Sequence, residues 1–136
     1  MATGPVKKKI LIVEDNNDSL EILGLRVKTF GYEAIKAHNS KEAIAYAEAE
    51  TPDLIFMDME LPDMDGVKTT ATLRQNPITS HIPVVAITAW ISALWREKAA
   101  KVGIKTYLVK PITPQTLKET IEQYTKRPLF GGESRF

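Results

Sequence analysis

Alternation of short apolar runs with longer segments of helical periodicity constrains the fold of this chain more than any other feature. Five runs rich in Val, Ile and Leu are separated by such segments, and three of the runs are almost wholly apolar. This pattern is typical of βαβ units whose parallel strands are buried on both faces. The sequence therefore predicts an α/β fold with one doubly wound, five-stranded parallel sheet. We expect strands at residues 9–13, 33–37, 54–57, 84–88 and 106–109.

Capping residues predict where several of the helices begin and end. Asp18, with Glu21 three residues later, resembles a capping box at the start of the first helix, and Gly31 predicts the end of that helix. Ser40 is the expected N-cap of the second helix. The fourth helix should begin somewhere within residues 90–95, but no clear cap marks its first turn.

Composition limits the chain to one domain without a broad preference for nucleic acid or membranes. Its 136 residues, 43% of them hydrophobic, can bury one core, which we place at residues 8–126 with flexible ends at 1–7 and 127–136. The charge is nearly balanced, with 18 Lys and Arg against 17 Asp and Glu. The absence of cysteine and of a long apolar stretch fits a cytoplasmic protein, and no DNA-binding module is expected.

Polar residues follow the predicted strands at the sheet edge where ligands of open parallel sheets bind. Glu14 and Asp15 follow the first strand, Asp58 the third and Lys110 the fifth, while Thr88 ends the fourth. Three neighbouring carboxylates repel one another unless a cation lies between them, and carboxylate oxygens suit Mg²⁺. The sequence thus predicts a magnesium site beside a nucleophilic Asp58. Thr88 and Lys110 would hold the oxygens of a phosphoryl group.

Taken together, these segments resemble a response-regulator receiver domain, over about residues 8–126. The resemblance implies the flavodoxin-like strand order 2-1-3-4-5, and it is strongest to stand-alone regulators of the cell-division type. Each motif alone is weak, but the ordered set at strand ends is specific. The motifs are ILIVEDN at 10–16, LIFMDMELPDMDG at 54–66, AITA at 86–89 and YLVKP at 107–111.

Roles for the acidic residues follow from this resemblance position by position. It implies that Asp58 accepts the phosphoryl group, that Asp15 binds Mg²⁺ directly and that Glu14 binds it through water. The backbone carbonyl of Glu60 would complete the metal shell. Asp63 and Asp65 are candidate additional ligands by proximity, although turn chemistry leading into the third helix is the better explanation.

The resemblance also implies a pair of residues through which phosphorylation would change partner binding. Thr88 and Tyr107 match a switch pair, in which the hydroxyl moves to the phosphoryl group and the aromatic ring follows it inward. The chain departs from the family where many receivers have a polar segment, because it carries Leu94 and Trp95 there, shortly after Trp90. Trp90, Leu94, Trp95 and Tyr107 are therefore a candidate partner surface, with local packing at the start of the fourth helix as the alternative.

The expected function is that of a single-domain response regulator. It would take its phosphoryl group from a sensor histidine kinase or a histidine phosphotransfer protein and switch binding to an unknown downstream protein, with phosphorylation-dependent homodimerisation left open. No separate metabolite would be turned over, since only autophosphorylation and autodephosphorylation are expected. Two alternatives remain. One is a receiver excised from a larger hybrid protein; the other is an aspartyl-phosphate hydrolase, although Glu60 replaces the second Asp usual in such enzymes.

Overall fold

Five strands and five helices alternate along the chain in the computed structural model, which describes residues 7–125. Of the predicted flexible ends, 1–7 lies outside this range except for Lys7, and 127–136 lies wholly outside it. The parallel strands form one sheet in the order β2-β1-β3-β4-β5, which confirms the predicted fold. The elements are β1 (Lys9–Val13), α1 (Asn17–Thr29), β2 (Glu33–Ala37), α2 (Ser40–Glu50), β3 (Leu54–Asp58), α3 (Gly66–Gln75), β4 (Val84–Thr88), α4 (Ala93–Lys101), β5 (Thr106–Val109) and α5 (Pro114–Thr125).

The two faces of the sheet are covered by different helices. Because successive side chains of a strand point to opposite faces, each apolar strand contributes to two separate cores. In β1, Leu11 and Val13 join one core with residues of α2, α3 and α4, whereas Ile10 and Ile12 join the other with residues of α1 and α5. Full burial of each such aliphatic side chain contributes roughly 1.5–3 kcal/mol to folding.

The central strands are the apolar ones that the sequence predicts. Every residue of β3 and β4 is buried, whereas the edge strands β2 and β5 are partly exposed. β3 continues one residue beyond its predicted end, because Asp58 still pairs with Ile87 in the parallel ladder between β3 and β4. The phosphoacceptor candidate is therefore a strand residue, held by the sheet.

Two predicted N-caps are wrong by one or two residues. Asn16 caps α1 in place of Asp18, which lies in the first turn, where a negative charge is favourable. Asn39 caps α2 in place of Ser40, which is the first residue of the helix and is buried. Asn and Ser are both strong caps, and sequence alone does not decide between neighbours. The hydroxyl of Ser40 is used elsewhere, in contacts described below.

The cap that the sequence left unassigned in α4 is Ser92. Its Oγ accepts a hydrogen bond of 3.0 Å from the backbone N–H of Trp95. In the sequence, a serine directly before a helical run is the pattern that indicates such a cap. Other helix limits agree with expectation. Gly31 lies just beyond α1 with a φ of 99°, and Thr113 precedes Pro114, the first residue of α5.

The helices were also compared with the length and hydropathy that a membrane-spanning helix needs. In residues 7–125, the helices all lack the combination of length and apolar character that crossing a bilayer would require.

Candidate functional site

An acidic group lies at the carboxyl ends of β1 and β3, which are adjacent in the sheet. Glu14, Asp15 and Asp58 each offer a carboxylate oxygen, and these oxygens lie within 4.8 Å of one another. Glu14 and Asp58 are only 1% and 2% exposed, whereas Asp15 faces solvent. The pairing of β1 with β3 brings these residues together across 44 positions of sequence, since Val13 is the register partner of Met57. The predicted cluster is therefore formed.

Lys110, the residue directly after β5, adds a positive charge to this acidic group. Its Nζ donates a hydrogen bond of 3.0 Å to Asp58 Oδ2 and lies 3.1 Å from Glu14 Oε1. The backbone places it there, because the N–H of Lys110 donates to the carbonyl of Thr88 at 2.9 Å and so continues the pairing of β4 with β5. One ammonium thus bridges two buried carboxylates.

The charges in this group perturb one another. Burial raises the pKa of the Glu14 carboxyl; the backbone N–H of Asn16 opposes this in part, and the Asp58 carboxylate adds to it. Burial alone would lower the pKa of the Lys110 ammonium, but the hydrogen bonds and charges of Asp58 and Glu14 outweigh burial and raise that pKa. Lys110 is therefore cationic at neutral pH. With all three carboxylates ionised, one ammonium leaves two negative charges, which match one divalent cation.

The oxygen atoms fit a magnesium ion. Glu14 Oε1 is buried, and the Lys110 ammonium lies 3.1 Å from it. Mg²⁺ prefers carboxylate and carbonyl oxygens together with several waters, and exposed Asp15 leaves room for waters. Glu14, Asp15 and Asp58 could hold the ion, and the role of the Glu60 carbonyl stays a prediction.

Asp63 and Asp65 are not part of this acidic group. The Asp63 carboxylate accepts hydrogen bonds from the backbone N–H groups of Ser40 and Lys41 at the start of α2. Asp65 caps α3 by accepting from the N–H of Lys68 at 2.8 Å. The suggestion that they are extra metal ligands is therefore wrong, because both carboxylates are satisfied by helix N-termini.

Gly66 is required by the close approach of α3 to the end of β3. A Cβ at this position would lie 2.9 Å from the carbonyl oxygen of Asp58 and would overlap the side chain of Met59. Any other residue would push α3 away from the end of β3. The glycine after Asp65 is thus needed for packing beside the site as well as for the turn.

Thr88 lies beside Asp58 in the sheet, but its hydroxyl has a different partner. Thr88 Oγ1 donates to the carbonyl oxygen of Trp90 at 2.9 Å. Asp58 is instead oriented by the backbone N–H of Glu60, which donates to Oδ1 at 2.9 Å. The hydroxyl that the sequence assigns to phosphoryl binding is therefore held by the segment that leads into α4.

Tyr107, the other member of the predicted switch pair, packs against α4. Its ring and that of Trp95 meet edge to face with centroids 5.2 Å apart, and the Arg96 guanidinium lies 5.8 Å from the Tyr107 centroid. Trp95 also packs on the core beneath α4, whereas Trp90 and Leu94 are 73% and 62% exposed. Trp95 is thus used for local packing, whereas the partner surface at Trp90 and Leu94 stays a prediction.

Comparison with known proteins decides the family. Residues 10–122 match the model of the response regulator receiver domain. The chain belongs to this family. As a receiver, it is a phosphoacceptor domain of two-component signalling, and Asp58 stands at the end of β3 with the acids and the lysine already described.

Curated relatives of this receiver include stand-alone regulators. The chain is 36% identical over 117 residues to the polar-differentiation response regulator DivK of Brucella anthropi, covering 86% of this chain and 95% of the relative. Identity to the DivK protein of Brucella ovis is 35% over the same shares. This confirms the resemblance to regulators of the cell-division type.

Solved structures show the same fold. The chemotaxis protein CheY4 of Vibrio cholerae superimposes with a TM-score of 0.84 at 27% identity, covering 88% of this chain and 99% of that one. The receiver domain of the sensor histidine kinase PA1611 from Pseudomonas aeruginosa has a TM-score of 0.80 at 28% identity, over 88% and 98% of the two chains. That neighbour is described with a magnesium ion coordinated in its active-site cleft.

Proposed function

We propose that this receiver accepts a phosphoryl group on Asp58 from a sensor histidine kinase or a histidine phosphotransfer protein. The observation that carries the proposal is the contact of the half-buried Lys110 with two buried carboxylates, those of Glu14 and Asp58, in which the lysine lies 3.0 Å from the candidate nucleophile. A carboxylate oxygen of Asp58 attacks phosphorus, the P–N bond to the donor histidine breaks, and its electron pair returns to the imidazole. The product is an acyl phosphate on Asp58.

Lys110 and the residues around Asp58 have separate tasks in this transfer. The Lys110 ammonium, already bonded to Asp58 Oδ2, neutralises charge on a phosphoryl oxygen once that oxygen reaches the site. The backbone N–H of Glu60 keeps the carboxylate oriented through Oδ1. Thr88 releases the Trp90 carbonyl when its hydroxyl turns to the phosphoryl group, so the change is passed to the start of α4.

The proposed cofactor is Mg²⁺, held by Glu14, Asp15 and Asp58 with the backbone carbonyl of Glu60. When bound, the ion neutralises negative charge on the incoming phosphoryl group. The magnesium described in the PA1611 receiver domain supports this choice, as do the three carboxylate oxygens that lie within 4.8 Å of one another. The proposal assigns no turnover of a separate metabolite, only self-phosphorylation and self-dephosphorylation.

The output of the switch is proposed to be altered binding of a downstream protein. Trp90 and Leu94, exposed beside Tyr107 and Trp95, would supply the contact surface. Homodimerisation upon phosphorylation would use the same surface. The proposal also places the domain in the cytoplasm, where an ATP-dependent kinase works, and involves neither nucleic acid nor membrane.

Two arrangements of the signalling protein are supported by specific relatives. Coverage of 95% of DivK from Brucella anthropi supports a regulator that acts by itself. The likeness to a receiver domain of a sensor histidine kinase supports a receiver within a hybrid protein. Both use the same chemistry at Asp58. The two arrangements are separated by comparing two rates of phosphotransfer to Asp58: the rate from a free kinase and the rate from a kinase fused to this domain. A faster rate from the free kinase favours the stand-alone regulator.

Loading by a small phosphodonor tests the proposed chemistry directly. The domain is incubated with acetyl phosphate in Mg²⁺ or in excess chelator, and the phosphorylated residue is identified by mass spectrometry after borohydride reduction. We expect acid-labile phosphate on Asp58 only with Mg²⁺. Loading at full rate in chelator would overturn the metal assignment, and phosphate on another residue would overturn the assignment of Asp58.

A further inference from the structure

The segment between β3 and α3, residues 59–65, is tied to the N-terminus of α2 by the carboxylate of Asp63. Asp63 Oδ1 accepts from the backbone N–H of Ser40 at 2.9 Å, and Oδ2 accepts from that of Lys41 at 3.1 Å. These two donors are among the N–H groups that an α-helix leaves without internal partners. They also lower the pKa of the Asp63 carboxyl, with the Ser40 N–H as the largest cause. The carboxylate is thus ionised at neutral pH and makes charge-assisted bonds.

A second set of contacts, made by Ser40 and Thr69, also joins residues 59–65 to the start of α2. The buried Ser40 hydroxyl lies 3.0 Å from the carbonyl oxygen of Met64 and 2.7 Å from the buried Thr69 hydroxyl. Thr69 Oγ1 in turn lies 2.8 Å from the carbonyl oxygen of Asp65. Asp63, Ser40 and Thr69 form what we call the α2 clasp. It explains why Ser40 does not cap α2, since its hydroxyl reaches across to the neighbouring segment.

The clasped segment begins at the site of phosphorylation. The N–H of Met59 donates to the carbonyl of Ile87 at 2.9 Å, and the N–H of Glu60 donates to Asp58 Oδ1 at the same distance. The start of the segment is thus fixed by β4 and Asp58, and its end is fixed at α3, where the N–H of Gly66 donates to the carbonyl of Met59 at 3.1 Å. Between these ends, Asp63 ties the segment to α2. The backbone of Glu60 lies between Asp58 and this tie, so its position depends on both.

We propose that Asp63 is a positioning residue, which holds residues 59–65 so that the Glu60 backbone meets Asp58 and the metal in one geometry. The inference rests on the proposed function, because it concerns the metal and phosphoryl site assigned above. Without the clasp, the segment is held only where it leaves β3 and where it enters α3, and ordering its middle on metal binding costs conformational entropy. Asp63 then acts through the backbone of Glu60 and never contacts the ion.

Magnesium binding to the unphosphorylated domain tests this role without relying on phosphorylation. Titration calorimetry gives the Kd for Mg²⁺, and hydrogen exchange gives the protection of the amides of residues 59–65. We expect Asp63→Ala to raise the Kd roughly tenfold, as loss of supporting contacts around metal sites typically does. The exchange rate of the Glu60 amide should rise with it. Asp63→Asn retains one acceptor oxygen, and Ser40→Ala removes only the contacts of the Ser40 hydroxyl with Met64 and Thr69. Both variants should therefore raise the Kd for Mg²⁺ by less than Asp63→Ala does.

Asn39→Ala is the matched control. Asn39 caps the same end of α2 by accepting from the N–H of Glu42 at 2.8 Å, but its side chain makes no hydrogen bond to residues 59–65. Both alanine variants should lower the melting temperature by similar amounts, since each removes capping bonds. Only Asp63→Ala should change the Kd for Mg²⁺ and the exchange of the Glu60 amide.

The outcomes separate this inference from the proposed function. Equal loss of Mg²⁺ affinity in the Asp63→Ala and Asn39→Ala variants, or no loss in either, would show that Asp63 only stabilises α2. Should Asp63→Ala fail to fold, the same comparison is made with Asp63→Asn and Ser40→Ala. A wild-type domain that neither binds Mg²⁺ nor loads beryllofluoride would overturn the proposed function, and this inference with it.

Discussion

The acidic ends of β1 and β3 and the first turn of α4 lie close together but are held very differently. Glu14 and Asp58 are almost fully buried, and each is fixed by Lys110 and by a backbone N–H. By contrast, Ala99 is the single buried residue of α4, and Leu94 on that helix is largely exposed. The candidate reactive residues thus lie at the ends of buried strands of the sheet. The helix α4 buries fewer residues, and elements with few buried contacts open at a lower free-energy cost than core strands.

A single side chain connects the two regions. The Thr88 hydroxyl ends a buried strand next to Asp58 but donates to the carbonyl of Trp90, at the entry to α4. Loss of that bond on phosphorylation would release the loosely held helix while leaving the rigid site in place. The contrast between the two regions is therefore what a switch requires.

The largest effect is expected for Asp58→Asn. This change should abolish acid-labile phosphorylation, because an amide cannot form the acyl phosphate, while the free energy of unfolding should stay within about 1 kcal/mol since Lys110 keeps Glu14 as a partner. Phosphate incorporation and chemical denaturation measure the two quantities. A variant that is both inactive and unfolded would contradict the view that Asp58 serves chemistry more than stability.

Lys110→Ala probes the rigid region next. Removing the ammonium leaves two buried carboxylates without their cation, and we expect a loss of about 2 to 3 kcal/mol in metal-free buffer, less than for a fully buried pair because Lys110 is one-third exposed. Saturating Mg²⁺ should restore part of that stability by binding the folded state. Denaturation with and without Mg²⁺ measures this, and Lys98→Ala on exposed α4 is the control. Equal losses for the two lysines would contradict the comparison.

The tryptophans test the loosely held region. Trp95→Ala should cost about 1 to 2 kcal/mol of stability, below the roughly 3 to 5 of a fully buried Trp, because its ring is only half-buried against Tyr107. Trp90→Ala should leave stability within about 0.5 kcal/mol, since its side chain is mostly exposed. If Trp90 is a docking residue, its variant should weaken partner binding or self-association by at least about 1 kcal/mol. Unchanged binding in Trp90→Ala would remove this surface from the proposal.

The smallest effect concerns Asp63 and pH. Its folded-state pKa lies below the ordinary value of 3.8, so its contribution to stability is complete above that value and is lost as pH falls through the folded pKa. The stability deficit of Asp63→Asn relative to wild type should therefore shrink below about pH 4. Unfolding curves at several pH values measure the deficit. Asn39→Ala, which removes a cap without a titratable group, should show a constant deficit.

Some of these features were readable from the sequence, because they depend on local chemistry and on side-chain period. Apolar runs identified all five strands, and acids, a hydroxyl and a lysine at strand ends identified the site before its geometry was known. Helix caps were less readable. Asn16 and Asn39 each stand beside another residue with capping capacity, and the choice depends on backbone angles that no local pattern fixes.

The sequence by itself determined the five strands, which of them are buried on both faces and the identity of the carboxylates and lysine at one edge, whereas the strand order came from the resemblance to receivers. Hydrophobic period and residue type suffice for these, since both act along the chain. Only the tertiary structure decided the partners of Thr88, Trp95 and Asp63, which are the Trp90 carbonyl, the Tyr107 ring and the N-terminus of α2. Those contacts depend on the packing of one helix against another segment, and hydrogen bonds across such distances leave no periodic signal in the sequence.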